Sequence, residues 1–226
     1  MAEKKRIATK CVHGGAGAPA GSEEEHVLHA HTFPIFQTST FVFNDTQHGA
    51  DLFAKKQSGH IYSRIGNPTV ERLEALVADL EGATKGGAVA FGSGMAAVTG
   101  SVLPFVSAGD HAVCSRVMYG PSINVFQNVL KKLGVEASVI DSTDLGQVRK
   151  AVVRGRTKVV YIETPGNPLT TISDIRGAAE IAHAAGAVLV VDSTFASPVF
   201  QRPIELGADV SMHSVTKYLN GHGDVV

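Results

Sequence analysis

The sequence predicts an α/β fold, a mostly parallel sheet with helices on both faces, preceded by an extended N-terminal arm. From residue 67 onward, short apolar runs alternate with amphipathic stretches, as in parallel sheets whose strands are connected by helices. Residues 1 to about 60 lack this rhythm, but they carry glycines and proline typical of turns and several phenylalanines. We therefore predict an arm over residues 1–65 that packs on a neighbouring subunit, and an α/β domain over residues 66–226.

The first amphipathic helix is predicted directly after Asn67. Apolar residues recur there at intervals of three and four, with Pro68 near the start and Gly82 just past the end, which is the usual placement of both residue types. Residues 86–91 are predicted as a short buried strand. The turn 92–94, Gly-Ser-Gly, then leads into a helix that begins near Met95, and strand, glycine turn and helix together suggest an anion site.

The alternation continues to residue 191. Glycines end two of the later helices and Asp144 is the expected cap of another. The predicted strands are 111–116, 136–141, 158–163 and 187–191, and the predicted helices are 123–133, 145–153 and about 174–185.

Composition excludes several classes of function. The chain has 226 residues, of which 44% are hydrophobic, so it can bury a large core. With 20 basic and 21 acidic residues its net charge is −1, which argues against nucleic-acid or membrane partners and favours a small-molecule ligand.

Cysteine usage and the absence of an apolar targeting segment favour the cytoplasm. The two cysteines do not form a disulfide framework, and no apolar run is long enough to span a bilayer. His26, His29 and His31 have no partner at a recognisable ligand spacing. We therefore predict no metal site.

Lys217 is the residue around which a functional site is predicted. A lysine in a partly desolvated pocket forms Schiff bases with aldehydes, and pyridoxal phosphate is the aldehyde cofactor that uses this chemistry. Its phosphate needs donors, which Ser214 and Thr216 supply close to the lysine, together with backbone N–H groups at Gly94 and Met95.

Two further residues at predicted strand ends complete such a site. Asp192 follows the most apolar strand and is the candidate for keeping a pyridine nitrogen protonated, while Tyr119 is available to stack on a ring. Taken singly, the glycines are also compatible with an ordinary turn, Asp192 with a helix cap and Tyr119 with a surface aromatic. The glycine pattern lacks the third glycine of a dinucleotide-binding loop.

Four longer motifs resemble a known family. They are Tyr-Ser-Arg-Ile-Gly-Asn-Pro-Thr at 62–69, Glu-Thr-Pro-Gly-Asn-Pro at 163–168, Val-Asp-Ser-Thr-Phe-Ala-Ser-Pro at 191–198 and Ser-Val-Thr-Lys-Tyr-Leu-Asn-Gly-His at 214–222. Together with Gly-Ser-Gly-Met at 92–95, they resemble the pyridoxal phosphate enzymes of cysteine and methionine metabolism. This family comprises cystathionine synthases and lyases, homoserine-ester sulfhydrylases and methionine γ-lyase, and the resemblance implies a large domain like that of aspartate aminotransferase, of fold type I.

The resemblance implies a role for each candidate residue. Lys217 would hold the cofactor as a Schiff base and shuttle protons, Asp192 would pair with the pyridinium, and Tyr119 would stack on the ring as a second catalytic residue. Asn167 would lie near the 3-oxygen. The phosphate would be bound by Gly94, Met95, Ser214 and Thr216, and by Tyr62 and Arg64 of an adjacent subunit, which implies a homo-oligomer, a tetramer built from two dimers.

The implied reaction is γ-elimination on a sulfur amino acid, with methionine γ-lyase as the first candidate. That enzyme converts methionine to methanethiol, 2-oxobutanoate and ammonia. Pro121 stands where methionine γ-lyases typically carry cysteine, and Ser193 where the family usually has asparagine. An O-acetylhomoserine sulfhydrylase or a cystathionine γ-synthase or γ-lyase is therefore an alternative.

Two hypotheses of other classes stay open, and the chain length bears on the first of them. Family members continue into a C-terminal domain with an arginine that grips the substrate carboxylate, so we expect that domain to be missing here and residues to follow Val226 in the native protein. A non-catalytic cofactor-binding module is one alternative. A lysine-dependent aldolase without pyridoxal phosphate is another.

Overall fold

The computed structural model describes residues 6–13, 32–83 and 87–226. Its backbone contacts divide the chain into two compact units, one ending at Ala90 and the other running from Phe91 to Val226. Each unit is described by itself.

Among its described residues, 6–13, 32–83 and 87–90, the N-terminal unit has three helices: α1 (Ile7–His13), α2 (Thr46–Phe53) and α3 (Pro68–Glu81). The sequence did not predict α1 and α2, because helices this short bury too few residues to show a periodic apolar face. Lys10 holds α1 to α3, since its Nζ lies 2.7 Å from Asp79 Oδ1 and donates to the Asp79 carbonyl at 2.6 Å.

Helix α3 confirms the predicted helix after Asn67. The Asn67 side chain accepts from Thr69 N at 2.9 Å, Pro68 is the first helical residue, and Gly82 adopts the left-handed conformation that ends the helix. The Asn67 amide also donates to the Phe36 carbonyl at 3.0 Å and to Ser63 Oγ at 2.9 Å. One side chain therefore caps the helix and ties it to the segments before it.

The strand predicted over residues 86–91 is wrong. Residues 87–91 have no strand conformation, and Val89 and Phe91 are 70% and 45% exposed. A strand requires a hydrogen-bonded neighbour. In this stretch Ala90 N instead donates to the Glu74 carboxylate at 2.7 Å. The apolar composition of residues 87–91 therefore did not indicate pairing with another strand.

The C-terminal unit follows the predicted alternation closely. Its helices and strands are, in chain order, α4 (Gly94–Gly100), β1 (His111–Ser115), α5 (Gly120–Asn124), β2 (Glu136–Ile140), α6 (Leu145–Ala151), β3 (Thr157–Glu163), α7 (Ile175–Ala185), β4 (Val188–Asp192), α8 (Ser197–Phe200) and β5 (Val210–Met212). Helix α5 continues into a π-helical segment, Val125–Leu130, and 3₁₀ turns occupy Leu103–Phe105 and Pro203–Leu206.

All strands of this unit pair in parallel, in the order β2-β1-β3-β4-β5. Successive residues of β3 pack into different cores: Val159 and Tyr161 pack with Phe126 beside α5, whereas Val160 and Ile162 pack with the α7 residues on the opposite face. The predicted parallel sheet with helices on both faces is therefore confirmed.

None of the helices in the described part of the chain combines the length and apolarity needed to cross a membrane. Within residues 6–13, 32–83 and 87–226, no three His, Cys, Asp or Glu side chains gather as metal ligands. His26, His29 and His31 lie outside the described residues.

Candidate active site

The carboxyl ends of the parallel strands collect the candidate residues of the C-terminal unit. Tyr119 follows β1, Asn167 follows β3, Asp192 ends β4, and the segment 214–217 follows β5. Because parallel strands end on the same side of a sheet, loops that are distant in sequence meet there. The neighbours β3 and β4 occupy the middle of this edge.

Asp192 is a buried carboxylate with a full set of polar neighbours. It is 4% exposed and accepts from Tyr161 Oη at 3.1 Å, from Thr194 N at 3.1 Å and from Thr194 Oγ1 at 2.5 Å. Burial raises the pKa of Asp192, while these hydrogen bonds and the nearby His213 act in the opposite direction. A cation placed beside this carboxylate would favour its ionised form.

Thr194 connects Asp192 to the segment that carries the lysine. Its hydroxyl donates to Asp192 and accepts from Ser214 N at 2.9 Å. The Ser214 hydroxyl donates in turn to Thr216 Oγ1 at 3.1 Å. The acid and the two hydroxyls are thus linked by successive hydrogen bonds across β4 and β5.

Gly94 lies directly against Ser214. A Cβ atom at Gly94 would stand 2.7 Å from Ser214 Oγ and 2.9 Å from Ser214 Cβ, closer than atoms can pack. In the same turn Ser93 caps α4, since its side chain accepts from Ala96 N at 3.1 Å. The N–H groups of Gly94 and Met95 remain at the start of the helix, where no intrahelical acceptor exists.

Lys217 lies in a turn immediately after these hydroxyls. Its backbone N donates to the Ser214 carbonyl at 3.2 Å and its carbonyl accepts from Gly221 N at 2.8 Å. The residue is exposed, so the described chain fixes its backbone but leaves its amine in contact with solvent.

Glu163, at the end of β3, holds Tyr119 and Asn167 by their backbones. Its Oε2 accepts from Tyr119 N at 2.7 Å and its Oε1 accepts from Asn167 N at 2.8 Å. Glu163 is 5% exposed and pairs in register with Asp192 on β4. Burial, and then the charge of Asp192, raise the pKa of Glu163 to about 7.

Tyr119 itself presents an accessible ring. It precedes α5 and is 48% exposed, and its carbonyl accepts from Ser122 N at 2.9 Å. The backbone of this residue is therefore held on two sides, while about half of the residue stays exposed. Asn167 is partly buried.

Pro121 and Ser193, the two residues that differ from those usual in the family, both fit their local structure. Pro121 occupies the first turn of α5 and is exposed, a position that suits proline. Ser193 is buried and its hydroxyl accepts from Gln201 Nε2 at 3.0 Å.

Tyr62 and Arg64 belong to the N-terminal unit. The Arg64 guanidinium lies 4.9 Å from the centre of the Tyr62 ring, and Tyr62 forms an antiparallel bridge with Thr40. The two side chains thus form a pair on one ordered segment, as their separation of two residues allows.

Sequence reasoning missed three residues of this edge: Tyr161, Glu163 and Thr194. Tyr161 had a usable signal, since a phenol within an otherwise aliphatic buried strand needs a polar partner. Glu163 gave only its position at a strand end. Acceptors of backbone N–H groups have no recognisable spacing in sequence.

Comparison with known proteins shows the family to which the sequence is similar. The chain matches the model of the Cys/Met metabolism PLP-dependent enzyme family over residues 9–226. It is 38% identical over 225 residues to L-methionine gamma-lyase of Fusobacterium nucleatum subsp. nucleatum, an alignment that covers 99% of this chain and 54% of the relative. It is 42% identical over 193 residues to O-succinylhomoserine sulfhydrylase of Pseudomonas aeruginosa, covering 85% and 47%.

A solved structure from Campylobacter jejuni has the same fold. It superposes with a TM-score of 0.86 at 30% identity, covering 97% of this chain and 52% of the other, and it carries N'-pyridoxyl-lysine-5'-monophosphate. The chain thus spans about half the length of the relatives it matches. By the extent of these matches, the chain belongs to the Cys/Met metabolism family of pyridoxal phosphate-dependent enzymes.

Proposed function

We propose that the chain binds pyridoxal phosphate through Lys217 and acts in elimination or replacement at the γ-carbon of a sulfur-containing or homoserine-derived amino acid. One observation carries this proposal: buried Asp192 is linked through Thr194 to Ser214, three residues before Lys217. The candidate ring partner and a candidate phosphate donor are therefore linked by hydrogen bonds, and the lysine follows three residues later in the chain.

Asp192 fits the nitrogen of the cofactor ring. When bound, pyridoxal phosphate supplies a protonated ring that withdraws electrons from the carbon atom next to the substrate amine. A buried carboxylate with a raised pKa is costly to ionise alone and is stabilised by a cationic neighbour. Tyr161 and Thr194 hold both carboxylate oxygens in place.

The hydroxyls of Ser214 and Thr216 and the N–H groups of Gly94 and Met95 fit a phosphate. Their donor set is neutral and suits an anion. The missing side chain at Gly94 is required by the close approach of Ser214. The residues present therefore fit the cofactor on steric as well as chemical grounds.

Lys217 Nζ would move the proton between substrate carbon atoms. A primary amine on a long, exposed side chain can reach successive positions. Tyr119 would stack on one face of the cofactor ring, and Asn167 would contact the 3-oxygen of that ring. Both would be held there through Glu163.

Tyr62 and Arg64 of a second subunit would supply the positive charge that the neutral phosphate site lacks. The guanidinium is already ordered against its neighbouring phenol ring, which lowers the entropy lost when it binds a phosphate. This proposal requires a homo-oligomer, and a tetramer of two dimers satisfies it.

Methionine γ-lyase activity is the first candidate within this class. Its support is the 38% identity to a relative of that name, while a sulfhydrylase of similar identity supports γ-replacement as the second candidate. Exposed Pro121 stands beside Tyr119 in the position where a cysteine would favour the first candidate.

Absorbance and product analysis together test the proposal. The protein incubated with pyridoxal phosphate should show a visible band that withstands dialysis, and Lys217→Ala should abolish that band because the alanine variant has no amine. Lys158→Ala is the matched control, since Lys158 hydrogen bonds the Gly155 carbonyl far from the carboxyl edge.

Substrate class is tested by 2-oxo acid formation from methionine, cystathionine and O-acetylhomoserine, the last with and without a thiol. Product from methionine alone supports the lyase, and thiol-dependent consumption of O-acetylhomoserine supports the sulfhydrylase. A protein that stays colourless after incubation contradicts the proposal. A coloured protein inactive on every substrate would leave a non-catalytic cofactor-binding module.

A further inference from the structure

Glu163 joins two loops that follow different strands. One carboxylate oxygen accepts from Tyr119 N, in the loop after β1, and the other accepts from Asn167 N, in the loop after β3. The distances of 2.7 and 2.8 Å are those of charge-assisted hydrogen bonds. The spacing between the two loops is therefore set by the width of one carboxylate group.

No other common side chain can make both bonds from this position. Glutamine has one acceptor oxygen, and its NH₂ group can only donate, so one of the two backbone N–H groups would face a donor. Aspartate is one methylene shorter. Because Glu163 is 5% exposed, water has little access to replace a lost bond.

We propose that Glu163 is a positioning residue that fixes the spacing between the Tyr119 loop and the Asn167 loop, and thereby the width of the cofactor pocket. This inference rests on the proposed function for the identity of the ligand between the loops. The hydrogen bonds themselves are independent of it.

The charge state of Glu163 follows from its surroundings. Asp192 faces it from β4 and Tyr161 from its own strand, whereas the loops after β1 and β3 contribute backbone N–H groups. Burial and Asp192 raise the pKa of Glu163 to about 7. Protonation turns one acceptor oxygen into a donor, so the clamp weakens as the pH falls through neutrality.

The first experiment uses the protein without cofactor. Amide ¹⁵N–¹H shifts of Tyr119 and Asn167 are followed from pH 5.5 to 8.5, a range chosen as roughly 1.5 units either side of that pKa. Both amides should titrate together with a midpoint near neutrality. Separate midpoints, or no titration of either amide, would overturn the proposal whether or not the cofactor binds.

The second experiment measures the affinity for pyridoxal phosphate by equilibrium dialysis over the same pH range. Glu163→Gln should raise Kd about tenfold at pH 8, as expected for loss of a hydrogen bond to a charged group. It should also remove the part of the pH dependence that Glu163 contributes. Glu205→Gln is the control, since Glu205 pairs with Arg202 at 3.0 Å on the surface.

The outcomes separate the two proposals. Wild-type affinity and pH dependence in Glu163→Gln would contradict the positioning role. If wild-type protein binds no pyridoxal phosphate, the proposed function fails, while the amide titration still decides on the clamp. If the glutamine variant does not fold, Glu163→Asp is used, which should keep a titrating group but release one loop.

Discussion

Substitution of Gly94 by alanine should weaken cofactor binding by displacing Ser214. The added Cβ would lie 2.9 Å from Ser214 Cβ and 2.7 Å from its Oγ, whereas unbonded carbon atoms pack at about 3.5 Å or more. Ser214 must therefore retreat by roughly 0.5 to 1 Å, by comparison with that contact distance. Such a shift breaks the alignment of its hydroxyl with a phosphate oxygen.

The expected loss is about 10- to 100-fold in affinity for pyridoxal phosphate, the equivalent of one hydrogen bond to a charged group. The effect on stability is smaller: overpacking costs about 1–3 kcal/mol, and alanine regains up to about 1 kcal/mol over glycine in a helix. Affinity is measured by equilibrium dialysis and the free energy of unfolding by urea denaturation.

Gly92→Ala is the matched control for Gly94→Ala. A Cβ at Gly92 meets no atom within 4 Å, so affinity and stability should change little, within about 0.5 kcal/mol. Combining Gly94→Ala with Ser214→Gly should cost less than the sum of the single changes, because the clash is gone. Equal affinities of Gly92→Ala and Gly94→Ala would refute the proposed packing of glycine against serine.

Three further predictions concern the buried groups. Tyr161→Phe removes the donor to Asp192 Oδ2 and should raise the pKa of Asp192 and lower the free energy of unfolding by about 1–3 kcal/mol, as measured by carboxyl NMR and urea denaturation. The pKa of Glu163 is raised from 4.5 to about 7, so between these two pH values the native state binds more protons than the unfolded chain. The free energy of unfolding of the cofactor-free protein should therefore fall as the pH rises from 4.5 to about 7. Glu163→Gln should make the free energy of unfolding less dependent on pH over the same range. Burial raises the pKa of the Cys114 thiol to about 12 whereas Cys11 is exposed, so a thiol reagent should modify one cysteine quickly in native protein and both after denaturation; two fast thiols would contradict the buried position of Cys114.

Much of the fold was predictable because its signals are local. Glycine and asparagine at helix ends fix their boundaries, as at Asn67, Gly82 and Gly186, and apolar stretches of five or six residues predicted the central strands. Residues 87–91 show the limit of this signal. Their apolar composition resembles that of the true strands, but pairing depends on a neighbouring backbone, which composition does not encode.

The candidate site was predictable only where chemistry depends on side-chain type. A lysine behind two hydroxyls and an acid after an apolar strand are visible in sequence, and the structure connects Asp192 with Ser214 through Thr194. Glu163 was missed because its partners are backbone N–H groups of residues 44 and 4 positions away. Their proximity depends on the strand order β1-β3-β4, which the sequence did not specify.

The two buried carboxylates explain why this edge of the sheet suits a cationic ligand. Glu163 and Asp192 are register partners on adjacent strands, and the charge of Asp192 contributes, after burial, to the raised pKa of Glu163. Each carboxylate also holds different loops by hydrogen bonds. Glu163 binds the loops after β1 and β3, and Asp192 is linked through Thr194 to the segment after β5. A cation beside Asp192 would favour the ionised form of both acids, and ionised Glu163 accepts from both loops. Binding of a protonated ring and tightening of the Tyr119 and Asn167 loops are therefore expected to reinforce each other, because both stabilise the same charge state.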